Sequence, residues 1–296
     1  MTLSPTAPVI VGVDGSPDSL RAVDWGAEQA RLRHRPLRIV HAFRWPVVPA
    51  ALSPVPLDPA STGLLHAAEQ ILSAAADHAR KVAPELEIST DQPVSAPARA
   101  LIEASHDASL VVVGSRGLGG FTGLLLGSVG TQVAAHAACP VVVVRGDAPH
   151  PAGGSTDQIV VGVDGSPLSH LAVEFAFEQA AWRGLGVTAV HAYQLPQPLY
   201  PGALPLAYDV DEIHGDESRL LAEALAGWSE KYPDVPVRRR VVQGPAGVVL
   251  VRESAGAALT VLGSRGLGGF TGLLLGSVSQ SVLHHAPCPV AIVRSR

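Results

Sequence analysis

The chain has 296 residues, 47% of them hydrophobic, and a formal net charge of −5. Its length and apolar content suit about two ordinary globular domains and exclude a disordered polypeptide. The acidic balance argues against a surface that neutralises nucleic-acid phosphates, and two cysteines, Cys139 and Cys288, are too few for a disulfide framework, so buried thiols are expected.

The N-terminal stretch "MTLSPTAPVIVGVDGS" has neither a basic start leading into a long apolar run nor a small-residue cleavage site. No apolar stretch reaches the roughly eighteen residues of a membrane span. A soluble, cytoplasmic protein with no membrane or nucleic-acid partner is the expectation. In chain order, the pattern predicts a strand over 9–13, a helix from 17 to about 34, a strand over 37–43 and a helix over about 64–82. A weaker strand at 86–90, a short helix at 97–105, a strand at 110–113, a helix at about 127–136 and a strand at 140–144 follow. Runs such as "IVVGV", "LVVVG" and "PVVVV" do not alternate with polar residues, which marks strands of a parallel sheet covered on both faces. The predicted fold class is α/β, a doubly wound, Rossmann-like five-stranded parallel sheet of order 3-2-1-4-5.

That unit is written twice. "VGVDGSP" at 11–17 returns at 161–167 and "VHA" at 40–42 returns at 190–192, whereas "CPV" at 139–141 returns at 288–290. The sixteen residues "GSRGLGGFTGLLLGSV" at 114–129 recur letter for letter at 263–278. One deleted residue between the early and late motifs accounts for the change in offset from 150 to 149. Two tandem domains, 1–146 and 158–296, with a proline- and glycine-rich linker at 147–157, are expected.

The repeated block begins where a strand ends and leads into a helix, the place where open α/β sheets bind ligands. Its glycines (114, 117, 119, 120, 123 and 127) permit positive φ and let backbone N–H groups approach an anion. Ser128 stands at the mouth of the next helix, where unpaired amides favour phosphate. Arg116 is the block's one formal charge. Without a lysine it is no GxxxxGK[ST] phosphate loop, and following the fourth strand it is no dinucleotide fingerprint. In "VGVDGSP", Ser16 and Pro17 read as a helix start. Asp14 is open to two readings, a turn aspartate bonding its own backbone or a ligand contact. With strands one and four adjacent, Asp14 and Gly114 face one crevice and Asp164 and Gly263 another.

Gly114, Gly117 and Gly127-Ser128 have the spacing G-x2-G-x9-G-[S/T], repeated as Gly263, Gly266 and Gly276-Ser277. This spacing, with "VGVDGS" and "VHA", resembles the ATP-binding universal stress proteins of the tandem actinobacterial type, whose fold is adenine nucleotide alpha hydrolase-like. The resemblance implies ATP, two per chain and with Mg²⁺, bound through Gly12, Asp14, Ala42, Gly114, Ser115, Arg116, Gly117, Leu118, Gly119, Gly120, Gly127, Ser128 and Val129. In the second domain it implies Gly162, Asp164, Ala192, Gly263, Ser264, Arg265, Gly266, Leu267, Gly268, Gly269, Gly276, Ser277 and Val278. Asp14 and Asp164 would touch nucleoside or metal, Ala42 and Ala192 would border adenine, and the glycine loops would wrap ribose and phosphates. His41 and His191 read as core residues closing a strand. The resemblance further implies a nucleotide-dependent regulator with an unidentified protein partner, as a homodimer or an intrachain pseudo-dimer. The alternatives are a slow ATPase or adenylate-transferring enzyme, for which no catalytic residue is visible, and a chaperone-like scaffold. The segments 44–63 and 193–218 share almost nothing and read as long loops.

Overall fold

A computed structural model describes residues 7–43, 63–118, 126–145, 158–195, 209–268 and 274–295. The chain divides between residues 146 and 147 into two compact units. The first runs β1 (Val9–Gly12), α1 (Pro17–Leu32), β2 (Leu37–Val40), α2 (Leu64–Val82), β3 (Ile88–Asp91), α3 (Pro97–Ala104), β4 (Leu110–Gly114), α4 (Ser128–His136) and β5 (Val141–Val144). β1 pairs in parallel with both β2 and β4, with Gly12 beside Val40 on one side and Val113 on the other. β2 carries β3, and β4 carries β5.

The second unit repeats the scheme as β6 (Gln158–Gly162), α5 (Pro167–Arg183), β7 (Gly186–Tyr193), α6 (Val210–Ala224), α7 (Trp228–Lys231), β8 (Val237–Gln243), α8 (Ala246–Glu253), β9 (Leu259–Gly263), α9 (Ser277–His285) and β10 (Val290–Val293). β6 lies in parallel between β7 and β9. β7 carries β8, and β9 carries β10.

Each unit is thus an α/β doubly wound domain, and the burial pattern explains its strand sequences. Leu37 and Leu110, in register with Val9, are wholly buried on one face of the sheet and Ile10 on the other, and helix α1 adds the buried Trp25. Burying each such side chain stabilises by about 1.5–3 kcal/mol. β3 and β8 pair on one side only within their units and are half exposed. Arg238, Arg239 and Arg240 stand exposed on β8, where charge discourages pairing with another strand. The cysteines are buried as thiols, each in its own unit.

Helices α1 and α5 begin as their residues dictate. Ser16 and Ser166 accept the N–H of Ser19 and Ser169, both at 3.2 Å, and proline fills the first turn. Gly15 and Gly165 precede them at φ +84° and +79°, a conformation that residues with a Cβ rarely adopt.

Two expectations need correction. Residues 210–218, read as loop, form the first turns of α6, because Asp209 accepts the N–H groups of Asp211 and Glu212 and so caps the helix. β7 continues to Tyr193, so "VHA" at 190–192 lies inside that strand, whereas β2 ends at Val40. The extra length matches β8, which pairs with β7 over seven residues. The segments 44–62, 146–157 and 196–208 lie outside the described residues. Among the described residues, no helix is long and apolar enough to cross a membrane.

Candidate functional site

In each unit a cavity opens at the carboxyl ends of the first and fourth strands. The flanking connections leave there in opposite directions, the switch point of a doubly wound sheet. The cavity of the first unit encloses about 500 Å³ and that of the second about 450 Å³, within the range of small-molecule sites.

The first cavity is bordered by Gly12, Asp14, Ala42, Gly114, Ser115, Arg116, Gly117, Gly127, Ser128 and Val129, so most of the residues singled out from sequence converge. Leu118 stands away from it, 72% exposed. The second is bordered by Gly162, Asp164, Ala192, Gly263, Arg265, Gly266, Leu267, Gly268, Gly276, Ser277 and Val278, while Ser264 is buried behind the wall. Gly119, Gly120 and Gly269 lie outside the described residues. Reasoning from sequence missed the apolar wall, formed by Val13, Val40, Pro97 and Leu101 in the first unit. Strand and helix ends give no motif, so the signal for such a wall is topology alone.

The turn reading of Asp14 holds, and the same carboxylate also reaches the glycine loop. Its Oδ1 accepts the N–H of Ser16 at 3.0 Å, the turn role, and its Oδ2 accepts the N–H of Leu118 at 2.8 Å, which ties the glycine loop to the end of β1. Asp164 repeats both bonds, with Ser166 at 3.0 Å and Leu267 at 2.9 Å. A second tie closes each loop at its neck: Gly127 donates to Ser115 O at 2.7 Å and Gly276 to Ser264 O at 2.8 Å.

Of the two purposes expected of the loop glycines, positive φ is not the one served at the described positions. Gly114, Gly117 and Gly127, and likewise Gly263, Gly266 and Gly276, have no positive φ. Close approach is the reason at Gly117 and Gly266, where a Cβ would collide with the Oδ2 of Asp14 or Asp164.

Beyond each loop, α4 and α9 start without any side-chain cap, with Gly127 and Gly276 at the N-cap position. Their first amides border the cavities, so backbone donors and the positive helix end are offered to a ligand. At the other end of the first cavity, Ala42 makes no backbone hydrogen bond among the described residues, while its neighbours His41 and Phe43 donate to Asp91 O and Pro93 O. Among the described residues, one N–H and one C=O are thus left beside the apolar wall.

The histidines differ. His41 donates through Nδ1 to Val13 O at 2.8 Å and borders the first cavity. His191 is buried, bonds Val163 O at 2.7 Å through Nδ1 and pairs through Nε2 with Glu217 Oε2 at 2.7 Å.

The universal stress protein family model matches residues 6–145 and again 155–294. The chain belongs to the universal stress protein family. Universal stress protein Rv2005c of Mycobacterium tuberculosis is 40% identical over 97% of this chain and 96% of its own length. A universal stress protein of Mycolicibacterium smegmatis is 39% identical over 97% of both. The crystal structure of a universal stress protein from Archaeoglobus fulgidus aligns with 99% of this chain and 98% of its own at a TM-score of 0.70 and 20% identity, a likeness of fold. Both units of this chain are therefore universal stress protein domains in tandem.

Proposed function

We propose that each unit binds one adenine nucleotide, ATP in the first instance, and that the bound state regulates a protein partner in the cytoplasm as part of a stress response. The observation that carries this reading is the pairing, in both units, of a glycine loop clamped by an aspartate with an uncapped helix start facing the same cavity. Backbone amides and a helix N-terminus suit phosphate. The apolar wall suits a flat base, and the N–H and C=O of Ala42 complement the acceptor and donor that adenine presents on its pairing edge. Binding is assigned to the residues named from the sequence at the two cavities, with Gly119, Gly120 and Gly269 included.

The residues also fit Mg²⁺ held through the nucleotide. Among the described residues no three His, Cys, Asp or Glu side chains converge, so a magnesium ion here would take most of its oxygens from phosphates and water, with Asp14 or Asp164 as the protein's carboxylate. Magnesium would neutralise phosphate charge.

Regulation is favoured over catalysis because the loop carries one arginine and no lysine, and the carboxylate that borders each cavity, Asp14 or Asp164, already accepts two backbone N–H groups. Turnover should fall far below the roughly 1 per second that marks the lower end of ordinary enzymes. The test is to purify the chain under mild conditions, denature it and identify the released small molecule by mass spectrometry, then follow hydrolysis of added ATP. Released adenine nucleotide with slow hydrolysis supports the proposal; no nucleotide released and none bound on addition, or fast turnover, contradicts it.

A further inference from the structure

The two sixteen-residue blocks are identical, but the helix beneath them is not. At the position of Asp18 in α1 the second unit has Leu168, and at the position of Arg21 it has Leu171. Asp18 is 6% exposed. Its Oδ2 accepts the hydroxyl of Ser115 at 2.9 Å and the backbone N–H of Arg116 at 3.1 Å. The same oxygen lies 3.6 Å from Nε of Arg116, and Oδ1 is paired with Arg21. Both the amide and the guanidinium that the first loop could offer an anion are thus engaged by a carboxylate of the protein. In the second unit, Arg265 borders the cavity, and neither its backbone N–H nor its side chain has a hydrogen-bond or ion-pair partner among the described residues.

We propose that Asp18 makes the two sites unequal, so that the second unit binds ligands of higher phosphate charge more tightly than the first. This rests on the adenine-nucleotide reading above. The formal charges near each site cancel, Asp14 and Asp18 against Arg21 and Arg116 in one and Asp164 against Arg265 in the other, so availability of donors separates the sites rather than net charge. A ligand phosphate at the first loop competes with a buried carboxylate for the same N–H and the same arginine; at the second loop it has them outright. AMP, with less phosphate to place, should show a smaller difference than ATP.

The experiment is a calorimetric titration of the full, nucleotide-free chain with ATP and separately with AMP, for the parent and for Asp18→Leu and Asp18→Asn. Asp18→Leu installs the residue that the second unit accommodates, and Asp18→Asn keeps an acceptor without the charge, which covers the case that the leucine disturbs folding. The parent should show two ATP affinities about tenfold apart, the size of one charge-assisted hydrogen bond, and a gap of about threefold or less for AMP. Asp18→Leu should bring the weaker ATP constant up to the stronger, leaving the stronger in place, and Asp18→Asn should bring it part of the way. Two equal ATP sites in the parent, or a weaker constant unmoved by both substitutions, would overturn this proposal alone. Absence of binding by either nucleotide would overturn the nucleotide reading and this proposal with it.

Discussion

Asp14 Oδ2 accepts the backbone N–H of Leu118 at 2.8 Å, across 104 residues of sequence. The end of β1 thereby holds the start of the glycine loop that leaves β4, and Asp164 does the same for Leu267. One carboxylate sets both the turn that starts α1 and the loop that faces the cavity.

Replacing it should therefore cost binding more than folding. Asp14→Ala is expected to destabilise the first unit by about 1 kcal/mol, since its bonds lie partly in solvent, and to weaken nucleotide binding more than tenfold at that site alone. Asp164→Ala should do the same in the second unit. Denaturant unfolding and titration calorimetry on the single and double variants check both numbers; affinity within twofold of the parent in the double variant would refute the clamp.

Gly117→Ala and Gly266→Ala approach the same contact from the loop side. A methyl group at either position takes the space of the aspartate oxygen, so the clamp must open and the loop must shift. Binding should fall at the altered site, with a stability cost of about 1 kcal/mol or somewhat more. If the double variant binds as the parent does, the close approach has no bearing on the ligand.

Ser16→Ala separates helix capping from binding. Loss of the bond from Ser19 N–H should cost about 1 kcal/mol, and nucleotide affinity should change by less than about twofold, because Ser16 is buried, does not border the cavity and touches the loop only through a long 3.5 Å bond to Arg116 O. The readouts are the unfolding midpoint and the titration; a large loss of affinity would place Ser16 in the site.

Glu217→Ala tests the difference between the histidines. Removing the partner of His191 Nε2 leaves a buried polar atom unsatisfied, at about 1–3 kcal/mol, so the second unit should unfold at lower denaturant while the first is unchanged. Unfolding followed by exchange of amides in each unit resolves the two.

Much of this architecture was legible because its inner strands are apolar without alternation and helices α1 and α5 start with Ser-Pro pairs. Strands β1, β4 and β5 and helix α2 fall within one residue of the sequence reading. The convergence of Asp14 with Gly117, and of the two glycine-serine pairs with the same cavities, follows from repeat spacing plus strand adjacency. Asp18 was not legible, because its importance lies in a contact with residues about a hundred positions away and not in any motif; the signal was its replacement by Leu168 inside an otherwise repeated stretch. The start of α6 was hidden by a polar, proline-flanked composition, although Asp209 followed by Asp211 and Glu212 is a helix start when read for its capping chemistry. At Gly117 the sequence leaves positive φ and close approach both open, because only the neighbour that fills the missing Cβ position, here Asp14, tells which.

The most direct test of the central claim is the number of adenine nucleotides bound by the nucleotide-free chain. Calorimetric titration with ATP should give two per chain in the parent, one in Asp14→Ala or Asp164→Ala and none in the double variant, and saturation at about a hundred times each dissociation constant should add roughly 2.7 kcal/mol of stability per site. A parent stoichiometry of one or none, or two sites that survive loss of both aspartates, would contradict the account.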